Sequence, residues 1–560
     1  MLKVLIIGAV AAGLKAAAKL RRADHEAEIT VIDKGQYISF GACGMPYYIS
    51  GDIDNYKALM STPTGVERTP AFFESVKNIK VLPGKLATAI DRNAKIVTVQ
   101  DVASGEMSVM SYDKLVIATG ASPVKPPLPG IQLANIFTLW SMEDAQRIRK
   151  MIERGEVEKA VIIGGGLVGM EMAEAFKMWE IDVTVVEMQN HIFSALLDDE
   201  VAAAVEKYGR EAGLTILTGE KVTEFRGTDI VEEVVTDART IQADIVIVAV
   251  GARPNVQLAK EAGLKIGQTG AIEVNERMET SDPNIYAGGD CVENTHMITG
   301  KKMFVPMGST ANKHGRVIGE NLAGGHSTFR GVLGTAIVKV LEWNVGKTGL
   351  TEKEAAKLGY DFVTTTVAGH DKPHYYPDSK LLSVKIIADA GTGKILGAQA
   401  YGAGDVSKRI DVFATAITLG ATVQSFADVD LAYAPPFSSP IDIAVTAAHG
   451  LLNKIAGKFP GMSPLEAFEK LNDKNVVFLD VRSPAECEQV KLTECDNIQY
   501  IPLGQLRTKA DEIDKDKEVV AFCKISLRGY EAAVILQGCG FEKVRVLEGG
   551  IFAWPYLCKK

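Results

Sequence analysis

Apolar positions fall in runs of four or five residues that break at glycine, and the first run sets the pattern. Lys3 to Ile7 is a short apolar strand ending in the turn Gly8-Ala9-Val10-Ala11-Ala12-Gly13. An alanine-rich helix follows over Leu14 to Ala23, and a second strand, Glu28 to Ile32, closes on Asp33. The design repeats downstream. Lys159 to Ile163 leads into Gly164-Gly165-Gly166-Leu167-Val168-Gly169, a helix is predicted over Met170 to Trp179, and the strand Asp182 to Val186 ends at Glu187. Continuous apolar runs separated by helices predict parallel strands buried on both faces. Two more runs, Lys114 to Ala121 and Val246 to Val250, break at Thr119-Gly120 and at Gly251.

Farther on the pattern changes. Strands are predicted over Thr335 to Val340, Leu381 to Ile387 and Ile395 to Tyr401, with a helix around Ile410 to Leu419, giving an α+β domain. A Gly- and Pro-containing joint, Gly450 to Pro464, precedes a small α/β unit. In it a strand from Val476 ends in the charged cluster Asp480-Val481-Arg482, and Glu518 to Phe522 runs into Cys523 and then a helix.

Strand, glycine turn, helix and strand-end acid together make a dinucleotide fingerprint. Glycines allow the tight turn, the helix N-terminus faces pyrophosphate, and the acid takes the ribose hydroxyls. Val10 stands at the middle glycine of the first copy, whereas Gly164, Gly166 and Gly169 complete the second. A carboxylate at Glu187 repels a 2′-phosphate and favours NADH over NADPH. Two copies predict two nucleotides.

Composition narrows the classes. The chain has 560 residues, 47% hydrophobic and 23% charged, too many for one core and enough for about three to five domains. A net charge of -9 argues against nucleic acid as a general partner. No apolar run approaches the roughly 20 residues that span a bilayer, and the start has no basic-then-apolar leader. The seven cysteines (43, 291, 487, 495, 523, 539, 558) show no CxxC and no metal spacing. Individual thiols in a reducing cytoplasm, with no metal and no membrane, are the expectation.

Cys43 lies in Ser39-Phe40-Gly41-Ala42-Cys43-Gly44-Met45-Pro46-Tyr47-Tyr48, just past the first nucleotide turn. Lys15, Lys19 and Arg22, at steps of four and three, share one face of the preceding helix. With Asn284-Ile285-Tyr286-Ala287-Gly288-Gly289-Asp290, these stretches closely resemble the FAD- and NAD-dependent pyridine nucleotide-disulfide oxidoreductases. In that family a valine at the Val10 position is a familiar variant. Tyr48 occupies the place of a second redox cysteine, so the resemblance narrows to the single-cysteine members: coenzyme A disulfide reductases and NADH peroxidases and oxidases. The C-terminal unit resembles a rhodanese domain through its Leu-Asp-Val-Arg entry, the loop Cys523 to Arg528, and Leu547-Glu548-Gly549-Gly550. It departs from that pattern over Gln489 to Ile498 and at Ser526, where glycine is common.

The resemblance implies two Rossmann-like domains, an α+β dimerisation domain and a rhodanese α/β domain. The implied divisions are 1–145 (FAD, first part), 146–275 (NAD(H)), 276–325 (FAD, second part), 326–445 (dimerisation), 446–462 (linker) and 463–560 (rhodanese). It carries FAD contacts onto Gly8, Ala11, Gly13, Asp33, Lys34, Val81, Thr119, Gly120, Asp290 and Ala311. NAD(H) contacts fall on Gly164, Gly166, Val168, Gly169, Glu187 and Gly251, and coenzyme A contacts on Lys15, Lys19, Arg22, Ser39 and Ala42. Cys43 is the implied nucleophile, with Tyr433 and Tyr375 (or its neighbour Tyr376) supplied by the second subunit of a homodimer. Cys523 and Arg528 belong to the sulfur-carrying loop. The implied activity is NADH-dependent reduction of CoA persulfide, polysulfide or CoA disulfide. The alternatives are an NADH peroxidase or oxidase cycling Cys43 through sulfenic acid, and a redox-sensing scaffold whose rhodanese unit only binds partners.

Overall fold

A computed structural model describes residues 1–492 and 497–556, and the backbone of 558 and 559. The chain divides into two compact units. One comprises Met1–Gly164, Met172–Thr184 and Lys221–Val332; the other comprises Gly165–Glu171, Val185–Glu220 and Leu333–Lys560.

In the first unit five parallel strands lie in the order Ile285–Ala287, Lys114–Ile117, Lys3–Ile7, Glu28–Ile32, Lys80–Leu82. Ile6 sits in register between Val31 and Val116, and all three are fully buried. Side chains of this kind each contribute about 1.5–3 kcal/mol on burial. The first helix begins at Ala12, two residues earlier than its apolar spacing predicts. Gly13 lies within it because a Cβ there would meet the Gly8 carbonyl oxygen at 1.9 Å. Helix Gly308–Leu322 packs against helix Ala12–Ala23 almost backbone to backbone. A Cβ on Gly315 would come within 2.5 Å of the Ala12 oxygen, and one on Gly319 within 2.6 Å of the Ala16 oxygen. The antiparallel meander Lys85–Asp91, Ile96–Asp101, Met107–Ser111 was not among the predicted elements. Lys159–Ile163 pairs in parallel with Ile245–Val248, which ends two residues short of the predicted strand.

In the second unit an antiparallel sheet runs Ala336–Val340, Trp343–Gly349, Ile395–Gly402, Leu381–Asp389, Phe362–His370. The helix expected near Ile410 starts earlier, at Val406, where the Asp405 side chain caps it. Helix Ile443–Ile455 crosses the start of the predicted joint, burying Ala447, Ala448 and Leu451. Gly450 is thus a packing residue, 3.4 Å from Val367 Cγ2 were it to carry a Cβ, and the joint narrows to the residues after the helix. The last sheet is parallel, in the order Gly461–Met462, Val544–Leu547, Glu518–Phe522, Val476–Asp480, Ile498–Tyr500.

The C-terminal sheet is fastened to the antiparallel one. The buried Glu548 carboxylate accepts the Thr366 N–H at 2.8 Å and the Lys454 ammonium at 2.6 Å. Lys207 Nζ donates to the Trp554 carbonyl at 3.1 Å. Phe552 lies 5.8 Å from Trp343 and 6.4 Å from Tyr401, and Trp343 stacks on Tyr208 at 4.3 Å.

Candidate active sites

The first glycine loop is shaped by the strand beside it. Gly8 has φ +115°, and a Cβ there would sit 2.1 Å from the Ala118 carbonyl oxygen, so only glycine is accommodated. Asp33 anchors the loop from the next strand, accepting the Ala9 N–H at 2.7 Å and the Gly35 N–H at 2.8 Å. Lys34 is exposed and Val81 is buried in its short strand. The Thr119-Gly120 turn is locked to Asn255. Thr119 Oγ1 donates to the Asn255 carbonyl at 2.7 Å, and Asn255 Nδ2 returns a bond to the Thr119 carbonyl at 2.8 Å.

Gly289 brings Asp290 to this loop, with its hypothetical Cβ 3.1 Å from Ala12 Cβ and 3.8 Å from Ala311 Cβ. Burial alone pushes the Asp290 carboxyl up to about 6, so the group lacks the polar partner that a ribityl hydroxyl would supply. Behind it His314 is enclosed. Its Nδ1 accepts the Gly289 N–H at 3.2 Å, and its Nε2 has no partner. The glycine cradle and the partnerless carboxyl suit a flavin dinucleotide.

The second glycine loop repeats the construction. Gly164 has φ +105°, with the Ala249 carbonyl oxygen 2.5 Å from where a Cβ would be. Glu187 accepts the Gly165 N–H at 2.7 Å and the Gln189 N–H at 2.8 Å, as Asp33 does in the first copy. Helix Leu167–Lys177 starts three residues before its predicted onset, so Val168 and Gly169 lie in its first turn. Gly251 has φ +110° with open space around its Cα.

Cys43 occupies the one-turn helix Ala42–Gly44, where both Ala42 and Cys43 are exposed. Ser39, at φ 52°, ties this segment to the glycine loop through its N–H on the Ala9 carbonyl at 2.8 Å. The thiol faces the start of helix Gly308–Leu322: a Cβ on Gly308 would be 3.9 Å from Cys43 Sγ. That helix measures the distance to the basic stripe. Cβ atoms on Gly315 and Gly319 would each lie 2.7 Å from the Cβ atoms of Lys15 and Lys19. Seven and eleven residues at 1.5 Å each put the two lysines about 10 and 16 Å along the helix from Cys43. The stripe thus lies one arm's length from the thiol. Lys15 and Arg22 are exposed, and Lys19 pairs with Glu320. The geometry matches a ligand with an anionic head and a sulfur on a long flexible arm.

Tyr375 and Tyr433 are brought together. They are 66% and 49% exposed, and the two phenols lie near each other. Tyr376 is less exposed and lies near Lys372.

At the second thiol, Cys523 is fully buried. Its carbonyl accepts the Ile551 N–H at 3.0 Å, and the Lys524 carbonyl accepts the Phe552 N–H at 3.0 Å. These bonds tie the loop to the Gly549-Gly550 turn, where a Cβ on Gly550 would sit 2.4 Å from the Cys523 carbonyl oxygen. Ser526 has φ 83°, the conformation for which glycine is the usual residue, and its buried hydroxyl neither caps the following helix nor finds another partner. Arg528 lies near Cys523 and forms a two-point pair with Glu486, at 2.8 and 2.6 Å. That pair holds the Glu486 carboxyl down at about 2. Arg482 is bound to Asp480 in the same fashion, with Nη2 at 2.7 Å.

Sequence reasoning assigned no role to Glu486, His314 or Glu548. Only Glu486 carried a local signal, the Ser483-to-Glu486 capping box that starts helix Pro484–Gln489. Burial pushes the thiols of Cys291 and Cys487 up to about 11, away from nucleophilic use. The divergent stretch Gln489 to Ile498 and Cys495 fall partly or wholly outside the described residues. Among the described residues, no cluster of His, Cys, Asp or Glu is placed to hold a metal ion, and no helix is long and apolar enough to cross a membrane.

Comparison with known proteins adds three matches along the chain. Residues 2–311 match the pyridine nucleotide-disulphide oxidoreductase family, 335–445 its dimerisation domain, and 463–555 the rhodanese-like domain. The chain is 40% identical over 449 residues to a Pyrococcus furiosus protein named NAD(P)H sulfur oxidoreductase (CoA-dependent), covering 80% of this chain and 99% of that one. The solved structure of an NAD-dependent persulfide reductase from A. fulgidus superposes with TM-score 0.94 at 45% identity, covering 99% of this chain and 100% of that one. The reduced Bacillus anthracis CoADR-RHD structure gives TM-score 0.91 at 33% identity, over 99% of this chain and 97% of that one.

Proposed function

The chain belongs to the pyridine nucleotide-disulphide oxidoreductases, and from that premise we propose that it is a CoA-dependent NAD(P)H reductase of persulfide and disulfide bonds. The observation that carries the reading is the exposed Cys43 at the head of a helix whose flank holds Lys15 and Lys19 an arm's length away.

When bound, FAD supplies the relay that takes two electrons from a nicotinamide and makes them available to sulfur. Gly8, Asp33, the Thr119-Gly120 turn and Asp290 would hold it, and Gly164, Gly166 and Glu187 the nicotinamide nucleotide. The carboxylate of Glu187 gives NADH the advantage over NADPH. Lys15, Lys19 and Arg22 take the phosphates of coenzyme A, with Lys19 exchanging Glu320 for a phosphate. Ser39 and Ala42 border the arm. The Cys43 thiolate attacks the S–S bond of CoA persulfide, polysulfide or CoA disulfide, and one half of the substrate leaves as a thiol or as sulfide. The half retained on Cys43 is released when that bond is reduced.

Tyr375 and Tyr433, paired and exposed, act on the Cys43 site of the second subunit in a homodimer built through residues 335–445. Cys523 carries sulfane sulfur as a persulfide, and Arg528 steadies its charge. Holding both thiols on one chain raises the effective concentration of the second reaction.

Cys43→Ser abolishes NADH oxidation driven by CoA persulfide, and Cys523→Ser removes sulfur loading while leaving that reduction. Undiminished persulfide reduction in Cys43→Ser overturns the proposal. Peroxide turnover exceeding persulfide turnover in the native protein favours the peroxidase reading instead.

A further inference from the structure

Two side chains from more than a hundred positions downstream grip the far end of the helical run that carries Cys43. The one-turn helix Ala42–Gly44 passes directly into helix Met45–Ser50, which stops at Gly51 with φ +98°. A helix end leaves carbonyls without partners of their own, and here two of them are met by side chains. Arg149 Nη1 donates to the Tyr48 carbonyl at 3.1 Å and to the Ile49 carbonyl at 3.3 Å. Trp179 Nε1 donates to the same Ile49 carbonyl at 2.9 Å. The guanidinium lies 4.5 Å over the Trp179 ring, and its Nε is fixed by Glu153 at 2.7 Å. Gly51 leaves the slot for this pair: a Cβ there would be 3.1 Å from Arg149 Nη1 and 3.6 Å from Trp179 Cζ2. The Arg149 side chain is 11% exposed, so these groups rather than water satisfy it.

Such a grip reaches the thiol. From Tyr48 back to Cys43 is five residues, about 8 Å of helix, short enough to move as one piece. At the near end Cys43 Sγ lies 3.9 Å from where a Gly308 Cβ would be. Attack on an S–S bond needs the sulfur in line with that bond, and misplacing a reacting atom by about 1 Å costs about 100-fold. Hydrogen bonds from a charged donor are the strong ones, and the indole face keeps the guanidinium from swinging away.

Resting on the reading of Cys43 as the nucleophile, we propose that Arg149 and Trp179 are positioning residues for that thiol. They act through the Tyr48 and Ile49 carbonyls and not on substrate. Arg149 supplies the charge-assisted bonds, and Trp179 fixes the second carbonyl together with the plane of the guanidinium. The helical run stays seated, and Cys43 keeps its place at the head of helix Gly308–Leu322.

The test is rapid mixing of the full-length, FAD-loaded protein, with its two half-reactions read separately by flavin absorbance. Arg149→Met keeps bulk and removes the donors. It is expected to slow reoxidation of the NADH-reduced protein by CoA persulfide at least tenfold, while flavin reduction by NADH stays within twofold of native. Trp179→Phe keeps a ring under the guanidinium and loses one bond, and is expected to slow the same step at least threefold. Arg149→Lys is expected to fall between Arg149→Met and native. Alkylation of Cys43 by iodoacetamide, followed by mass spectrometry, is expected to change at least threefold in rate in Arg149→Met. Native reoxidation in Trp179→Phe and, where it folds, in Arg149→Met overturns the proposal. Equal slowing of both half-reactions also overturns it, because general loosening would do the same. Undiminished reoxidation in Cys43→Ser overturns the nucleophile reading, and this inference with it.

Discussion

His314 has its Nδ1 committed to the Gly289 N–H and its Nε2 enclosed without a partner. Burial holds its pKa down at about 4, against 6.5 for a free imidazole. As pH falls through 6.5 toward 4 the unfolded chain binds this proton and the folded one does not, so stability is lost across that window. A difference of that size is about 3 kcal/mol. Urea unfolding at stepped pH should find His314→Gln losing less stability than the native protein between pH 6.5 and 4. Ser526 stores strain of another kind. A serine at φ 83° costs about 1 kcal/mol relative to glycine. Ser526→Gly is accordingly expected to raise the unfolding midpoint by that order, read by the same titration.

At the scale of elements, the contact between helices Ala12–Ala23 and Gly308–Leu322 fixes both the flavin-side turn and the basic stripe. Gly319→Ala pushes a methyl to within 2.6 Å of the Ala16 carbonyl, and overpacking of this sort costs about 1–3 kcal/mol. Because Lys19 rides on the displaced turn, the variant should also raise KM for CoA substrates several-fold while leaving KM for NADH unchanged, which steady-state kinetics will show. The parallel strands around this helix pair were legible because an apolar run ending in glycine admits few other readings. Both dinucleotide loops fell where the spacing put them. Strand Phe362–His370 was not legible: its Thr364-Thr365-Thr366 centre lacks an apolar run and is covered by residues far along the chain, helix Ile443–Ile455 and the Glu548-Gly549 turn. Gly450 read as a joint because a glycine in a helix interior resembles a break until the strand packed on it is known.

At the scale of the whole molecule, long-range polar pairs decide how the C-terminal sheet is carried, and they leave no local trace. Thr366 and Glu548 are separated by 182 positions, and Glu486 and Arg528 by 42. Sequence identified Cys523 and Arg528 from their shared loop, but nothing nearby announces what Arg528 is paired with. Glu548→Ala strips a buried ion pair of one partner, a change worth about 3–5 kcal/mol. Calorimetry should then show residues 463–555 melting as a separate, earlier transition, with NADH-driven reduction of persulfide at Cys43 retained.

Trp343, sandwiched between Tyr208 and Phe552, lies where the C-terminal sheet rests on the antiparallel one. Its indole gives the protein an internal lamp. Lifting Phe552 away would admit water to one face of the ring, reddening and dimming its emission, so an undocking of the C-terminal sheet would register in a stopped-flow fluorimeter without any attached dye.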